Sequence, residues 1–156
     1  MATDSRQSFS FDFTLGEPAT AVFEVLQQVN DWWSGFYGEE IVGSNQKEGE
    51  EFTFLAAGGA HFSRQRVIEI IPNAKIVWLV TESNFSYIKK SDEWTGTKIR
   101  FDISEKAGQT HLRFTHKGLV PNLECYESCS RAWSKYLEER LLLQISKQKA
   151  GSLQKE

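Results

Sequence analysis

The sequence predicts an α+β fold: a curved antiparallel sheet of about six or seven strands gripping a long C-terminal α-helix, with two short helices after the first strand. Three observations predict it. Residues 8–15 alternate, with Phe9, Phe11, Phe13 and Leu15 on one side and Ser8, Ser10, Asp12 and Thr14 on the other, the period of two that marks a half-buried strand. Six further strand-like runs come after Gly35, with turn signals between them. Beyond Pro121 the apolar residues Tyr126, Cys129, Trp133, Leu137 and Leu141 recur at helical spacing. Strands followed by one long helix place that helix against one face of the sheet.

Each element has its own local reason. Gly16-Glu17-Pro18 ends the first strand, and Pro18 suits the first turn of a helix whose apolar face is Val22, Phe23, Leu26 and Val29. Asn30 or Asp31 is placed to cap a second short helix through Trp32, Trp33 and Ser34. The strands fall at about 38–43, 50–55, 62–71, 75–83, 97–104 and 109–117. In the last two, Ile99, Phe101 and Ile103 and then Leu112, Phe114 and His116 take the dry face, opposite Lys98, Arg100, Asp102, His111, Arg113 and Thr115. The final helix carries acids Glu124 and Glu127 in its first turns, where the helix dipole favours them, and Glu127 can pair with Arg131. Leu142 falls on its polar side with Glu124, Arg131 and Glu138, and an outward leucine there is a candidate seat for a homodimer.

A chain of 156 residues is one domain, 1–156, with its packed part at about 8–147 and a polar tail, 148–156, expected to be disordered. Aromatic residues make up 13%, with eleven Phe and five Trp, so the interior is either wide or partly hollow. A net charge of −3 argues against nucleic acid, and no apolar run is long enough to insert in a membrane. The first residues lack an apolar signal core, so a cytoplasmic location is expected. Cys125 and Cys129 sit four apart in the final helix, a poor geometry for a disulfide.

Several local sequences resemble the helix-grip superfamily of START domains and the birch-pollen allergen. They are Glu17-Pro18-Ala19-Thr20-Ala21-Val22-Phe23, Asp31-Trp32-Trp33, Val67 to Pro72 leading into Ile76-Val77-Trp78, and Thr110 to Gly118 before the helix that carries Trp133 and Leu137. Within it, the chain is similar to the branch named after the activator of the heat-shock-protein-90 ATPase. The resemblance implies a sheet that grips the helix around an apolar cavity. It departs at Ala132, where related sequences tend to have glycine before the tryptophan.

The candidate ligand-binding residues are Trp33, Phe36, Arg64, Arg66, Trp78, Phe114, His116, Tyr126, Cys129 and Trp133. The aromatic ones can line a cavity and stack on a flat or fatty ligand, or simply fill the core. Trp32 and Trp33 are adjacent on a short helix, so one is expected to be partly exposed near Phe36. Arg64 and Arg66 share strand parity with Phe62, Ile68 and Ile70, which aims them at the dry face as anchors for an acidic head group unless a bulge flips the parity. His116 reads as a core histidine bonded to a backbone carbonyl, with a general base as the alternative. No Gly-x-Ser-x-Gly, phosphate-binding glycine loop or His-Glu-x-x-His occurs, and three scattered histidines and two cysteines do not match a zinc site. No catalytic residue, metal or cofactor is therefore assigned. The expected function is binding of a small apolar or amphipathic molecule. The alternatives are an accessory regulator of a heat-shock-protein-90-type chaperone ATPase, and a cyclase- or hydrolase-like enzyme on a cyclic or polyketide-like substrate.

Overall fold

The computed structural model describes residues 7–155, with side chains through residue 148. The chain runs β1 (Phe9–Leu15), α1 (Ala19–Gln27), α2 (Val29–Trp32), β2 (Glu40–Gly43), β3 (Glu51–Ala56), β4 (His61–Ile71), β5 (Lys75–Phe85), β6 (Lys98–Lys106) and β7 (Gln109–Lys117). A final helix comes next as α3 (Tyr126–Lys135), a π-helical turn (Tyr136–Leu141) and α4 (Leu142–Lys155). The strands form one seven-stranded antiparallel sheet in the order β1-β7-β6-β5-β4-β3-β2. The α+β fold read from the sequence is the observed one. The expected disordered tail, 148–156, falls almost entirely outside the residues whose side chains are described.

The short helices obey their local signals with small shifts. Pro18 stands just before α1 with φ −69° and ψ 157°, and the free Ala19 N–H donates to Glu105 at 3.1 Å, tying the helix to the β6–β7 hairpin. Trp32 and Trp33 are both buried, against the expectation that one would show. The physical reason is that α2 ends at Trp32, and Trp33 leaves helical geometry at φ −92° and ψ 53°, which turns its ring inward too. Asn30 and Asp31 do not cap this helix, whose N-terminal flank is Gln28.

Strand β4 corrects the reading of the arginines. Ser63, Gln65 and Val67 face inward, while Arg64 and Arg66 lie on the opposite, wet face. Register shifts against β5 occur between Arg64 and Gln65 and between Val67 and Glu69. The second inserts Ile68 as an extra residue, leaving it exposed and returning Ile70 to the inner side opposite Ile76. Apolar Phe62 and Ile68 therefore do not mark the inner face, and Arg64 pairs with Glu82 at 2.6 Å on the surface.

The final helix starts at Tyr126, and Glu93 from the β5–β6 connection caps it by accepting from the N–H groups of Glu124 (2.8 Å) and Cys125 (2.9 Å). Glu127 and Arg131 do pair, but at 3.5 Å and almost fully exposed, which contributes little. The buried stripe is Cys129, Trp133, Leu137, Leu141 and Ile145, a constant spacing of four. On an ideal helix that spacing drifts by about 40° per step, so roughly 160° over the stripe. The π-helical turn takes up part of this drift with a wider turn. It also rotates the rest of the helix: Leu142 packs partly against the core, and Leu143 is exposed.

Trp133 is fully buried at the centre of this arrangement. Trp133→Ala is expected to lower stability by about 3–5 kcal/mol in chemical denaturation. A loss below about 1 kcal/mol would contradict the packing described.

Candidate functional site

Between the sheet and the final helix lies a pocket of about 190 Å³. Its floor is a stack of rings from four separate elements. Phe54 of β3 lies on Trp33 at 3.9 Å between centroids, Trp33 on Trp133 at 5.0 Å, and Trp133 on Trp94 at 5.8 Å, each pair within about 21° of parallel. Ser128, Cys129, Ala132 and Tyr136 of the helix form one wall, and His61 with Ala56 and Ala57 forms the other. Tyr37 and Tyr87, each about half exposed, stand at the opening.

The stack is held in place by polar groups behind it. The Trp133 indole N–H donates to His116 Nδ1 at 3.0 Å, which makes that nitrogen an acceptor and puts the ring proton on Nε2. Nε2 in turn donates to Thr97 Oγ1 at 2.8 Å, and the Thr97 hydroxyl donates to the Trp94 carbonyl at 2.6 Å. His116, with no exposed surface, thus has both nitrogens satisfied. Thr97 reaches this position because Gly118 lies against it. A side chain there would come within 2.7 Å of the Thr97 methyl, at a φ of +104° that disfavours any other residue.

The opening is organised by Glu39. It accepts the Tyr136 hydroxyl at 2.5 Å and the backbone N–H groups of Gly35 (2.9 Å) and Tyr37 (3.1 Å). Burial pushes this carboxyl up, but the bonds from Tyr136 and from those backbone groups outweigh it and leave it lowered. Tyr136 is pushed up by burial and by its bond to Glu39. On the helix, the Cys125 thiol is held high by its hydrogen bond to Cys129 and by burial. Cys129 is lowered by that same bond against the opposing effect of burial, with the Trp94, Tyr87 and Ser128 donors turned toward its sulfur.

Two polar groups at the pocket are left over. His61 Nδ1 meets the Tyr87 hydroxyl at 3.0 Å, but its Nε2 is buried without a partner. The Trp94 indole N–H is turned toward the Cys129 sulfur without reaching good hydrogen-bond geometry. Each such group costs roughly 1–3 kcal/mol. Among the described residues, no three His, Cys, Asp or Glu side chains converge as a metal site would require.

Of the residues singled out in the sequence, Trp33, Cys129 and Trp133 line the pocket. Trp78, Phe114 and His116 pack behind it; Trp78 stands 6.0 Å from Trp33, and Phe114 lies 4.6 Å from Trp133. Phe36 and Tyr126 are partly buried against the core without lining the pocket. Arg64 and Arg66 are on the far side of the sheet and supply no cationic end to the pocket. Sequence reasoning missed His61, Tyr87, Trp94, Phe54 and the helix residues beside Cys129. Trp94 did leave a signal, as the one large apolar side chain in Ser91-Asp92-Glu93-Trp94-Thr95-Gly96, which points to a buried loop anchor.

Comparison with solved structures confirms the architecture. The solution structure of the Aha1 dimer from Colwellia psychrerythraea matches with TM-score 0.65 and 21% identity, covering 84% of this chain and 90% of that one. Protein MLL2253 from Mesorhizobium loti matches with TM-score 0.71 and 16% identity over 90% and 98%. Protein CV1439 from Chromobacterium violaceum matches with TM-score 0.69 and 16% identity over 88% and 96%. Identities this low show the fold alone. A curved antiparallel sheet closed on a long helix defines the chain as a helix-grip protein. More narrowly, the family described as activator of Hsp90 ATPase homolog 1-like protein matches residues 18–142, and the chain belongs to that family. No curated protein matches it.

The buried His116 also fixes a pH dependence. Burial, with the neighbouring His61 adding to it, lowers its pKa from 6.5 to about 3. Between those values the unfolded chain binds the proton and the folded one does not. Stability is therefore complete above about pH 6.5 and falls on acidification by up to about 1.4 kcal/mol per pH unit. Denaturation at pH 7 and pH 5 should show this loss in the wild type and a smaller one in His116→Gln. Equal losses would contradict the neutral, buried ring.

Proposed function

We propose that this domain binds a small, flat, apolar molecule of one or two rings in the aromatic pocket. The observation that carries the proposal is the pocket itself: about 190 Å³, floored by stacked indoles and lined mainly by apolar side chains. Volume decides the size class. An apolar cavity of about 150 Å³ accommodates benzene, whereas drug-sized ligands occupy roughly 300–1,000 Å³. A bicyclic hydrocarbon fits this range and a long acyl chain does not. With Arg64 and Arg66 outside, the acidic amphiphiles expected from the sequence lose the anchor those arginines would supply, which favours uncharged molecules.

The family supports a second reading, accessory regulation of an Hsp90-type ATPase, which would use the outer surface rather than the pocket. The similar Colwellia protein is a dimer, and among the described residues of this chain's last helix the leucine open to a second copy is Leu143. Two free thiols fit a reducing compartment such as the cytoplasm, and no helix among the described residues is long and apolar enough to cross a membrane.

Isothermal titration with indane tests the proposal. Binding with a negative heat-capacity change is expected, and Ala132→Leu, which fills the pocket from the helix side, should abolish it while the circular-dichroism spectrum is retained. Palmitate should give no saturable heat. Absence of indane binding, or binding unaffected by Ala132→Leu, would overturn it.

A further inference from the structure

We infer that Cys129 and Cys125 act together as a two-electron reductant for an apolar organic hydroperoxide that enters the aromatic pocket, and that the reaction closes a disulfide between them. The inference rests on the pocket-binding reading above and names a reactive class of ligand for the same site.

A buried cysteine with no route to solvent is inert, and the pocket gives Cys129 that route. Cys129 is the one thiol among the residues lining the pocket, and it stands in the first turn of the final helix, whose positive end favours a thiolate. Cys125, with none of its surface exposed, lies behind it on the flank of that helix. The Cys129 N–H donates to the Cys125 carbonyl at 2.8 Å, so one helical turn separates the two residues. Such a turn places their Cα atoms about 6 Å apart, within the roughly 4.4–6.8 Å that a disulfide spans. The sequence reading of the pair is corrected here: Cys125 precedes the helix, and its backbone can turn without breaking the helix up. The two thiols already hydrogen-bond each other. A single nucleophile would suit addition to carbon, whereas two thiols in contact hold two electrons that can be given up together.

The Cys129 thiolate attacks the terminal peroxide oxygen, and the O–O bond breaks. The leaving alkoxide takes the proton given up by the Cys129 thiol, so the ligand departs as an alcohol and Cys129 becomes a sulfenic acid. The Cys125 sulfur then attacks the sulfenic sulfur, the S–O bond breaks, and hydroxide leaves with the Cys125 proton as water. Two thiols and one hydroperoxide thus give one disulfide, one alcohol and one water. The lining selects the carrier. Hydrogen peroxide sheds its hydration to enter and gains nothing from apolar walls, whereas an arene gains by burial. Among the described residues lining the pocket there is no lysine or arginine, so a hydroperoxide bearing a carboxylate finds no counter-charge.

Reduced protein treated with a stoichiometric amount of cumene hydroperoxide tests the inference by mass spectrometry. The wild type should lose about 2 Da, the two thiol hydrogens, with Cys125 and Cys129 joined in the peptide map. The reaction should run about tenfold faster than with hydrogen peroxide, since only the arene gains from apolar burial, and indane should slow it. Cys125→Ser should stop at the sulfenic acid, trapped by dimedone on Cys129, and Cys129→Ser should not react. Equal rates for the two peroxides, no disulfide in the wild type, or oxidation of Cys125 in a folded Cys129→Ser overturns the inference, while the pocket reading stands as long as indane binds. Failure of indane to bind the wild type overturns the pocket reading and the inference with it.

Discussion

The hydrogen bond from Trp133 to His116 joins the final helix to the middle of the sheet at full burial, and the arrangement of the interior depends on it. A buried indole N–H without an acceptor is costly, and a neutral imidazole supplies one at Nδ1 while its Nε2 donates. Thr97 accepts that second bond and passes the chain of bonds to the Trp94 backbone. One polar relay therefore fixes the height of the helix, the identity of the protonated nitrogen and the position of the loop that carries Trp94. The rings of Trp33 and Phe54 then complete the stack on the far side of Trp133.

The hollow is a consequence of the same constraint. Trp133 cannot slide toward Tyr136 and Cys129 without losing His116, and Trp94 is held by its ring contacts and by Thr97. The space between the stack and the two tyrosines at the opening is left unfilled. Ala132, which lines the pocket, takes some of that space and narrows the class of molecule that fits. Behind the pocket wall, His61 Nε2 is buried without a partner, at a stability cost that a fully satisfied core would avoid.

The architecture was legible because its strongest signals are local. β1, β6 and β7 alternate without interruption, and their inward residues, Phe13, Ile99, Phe101, Leu112 and Phe114 among them, are those the period of two selects. Where a bulge at Ile68 interrupts β4, the pattern inverted: buried Ser63 and Gln65 look like surface residues and exposed Ile68 looks like core. No periodicity argument survives an inserted residue, and the misplacement of Arg64 and Arg66 came from that and from Phe62, an apolar residue on the outer side. The π-helical turn did the same to Leu142 and Leu143, and the early end of α2 did it to Trp32 and Trp33. The pocket was half legible. Its helix side was visible as the stripe through Cys129 and Trp133, whereas His61, Tyr87 and Trp94 meet there only through the loops that tertiary structure brings together.

The grip encloses a dry aromatic pocket of fixed position on the Trp33–Trp133–Trp94 stack. A crystal soaked in iodobenzene tests it directly through the anomalous signal of iodine. The account predicts a single strong interior peak between the stack and the Tyr37–Tyr87 opening, with the surrounding rings unmoved. An interior peak elsewhere, or none at an occupancy that marks surface sites clearly, would contradict it.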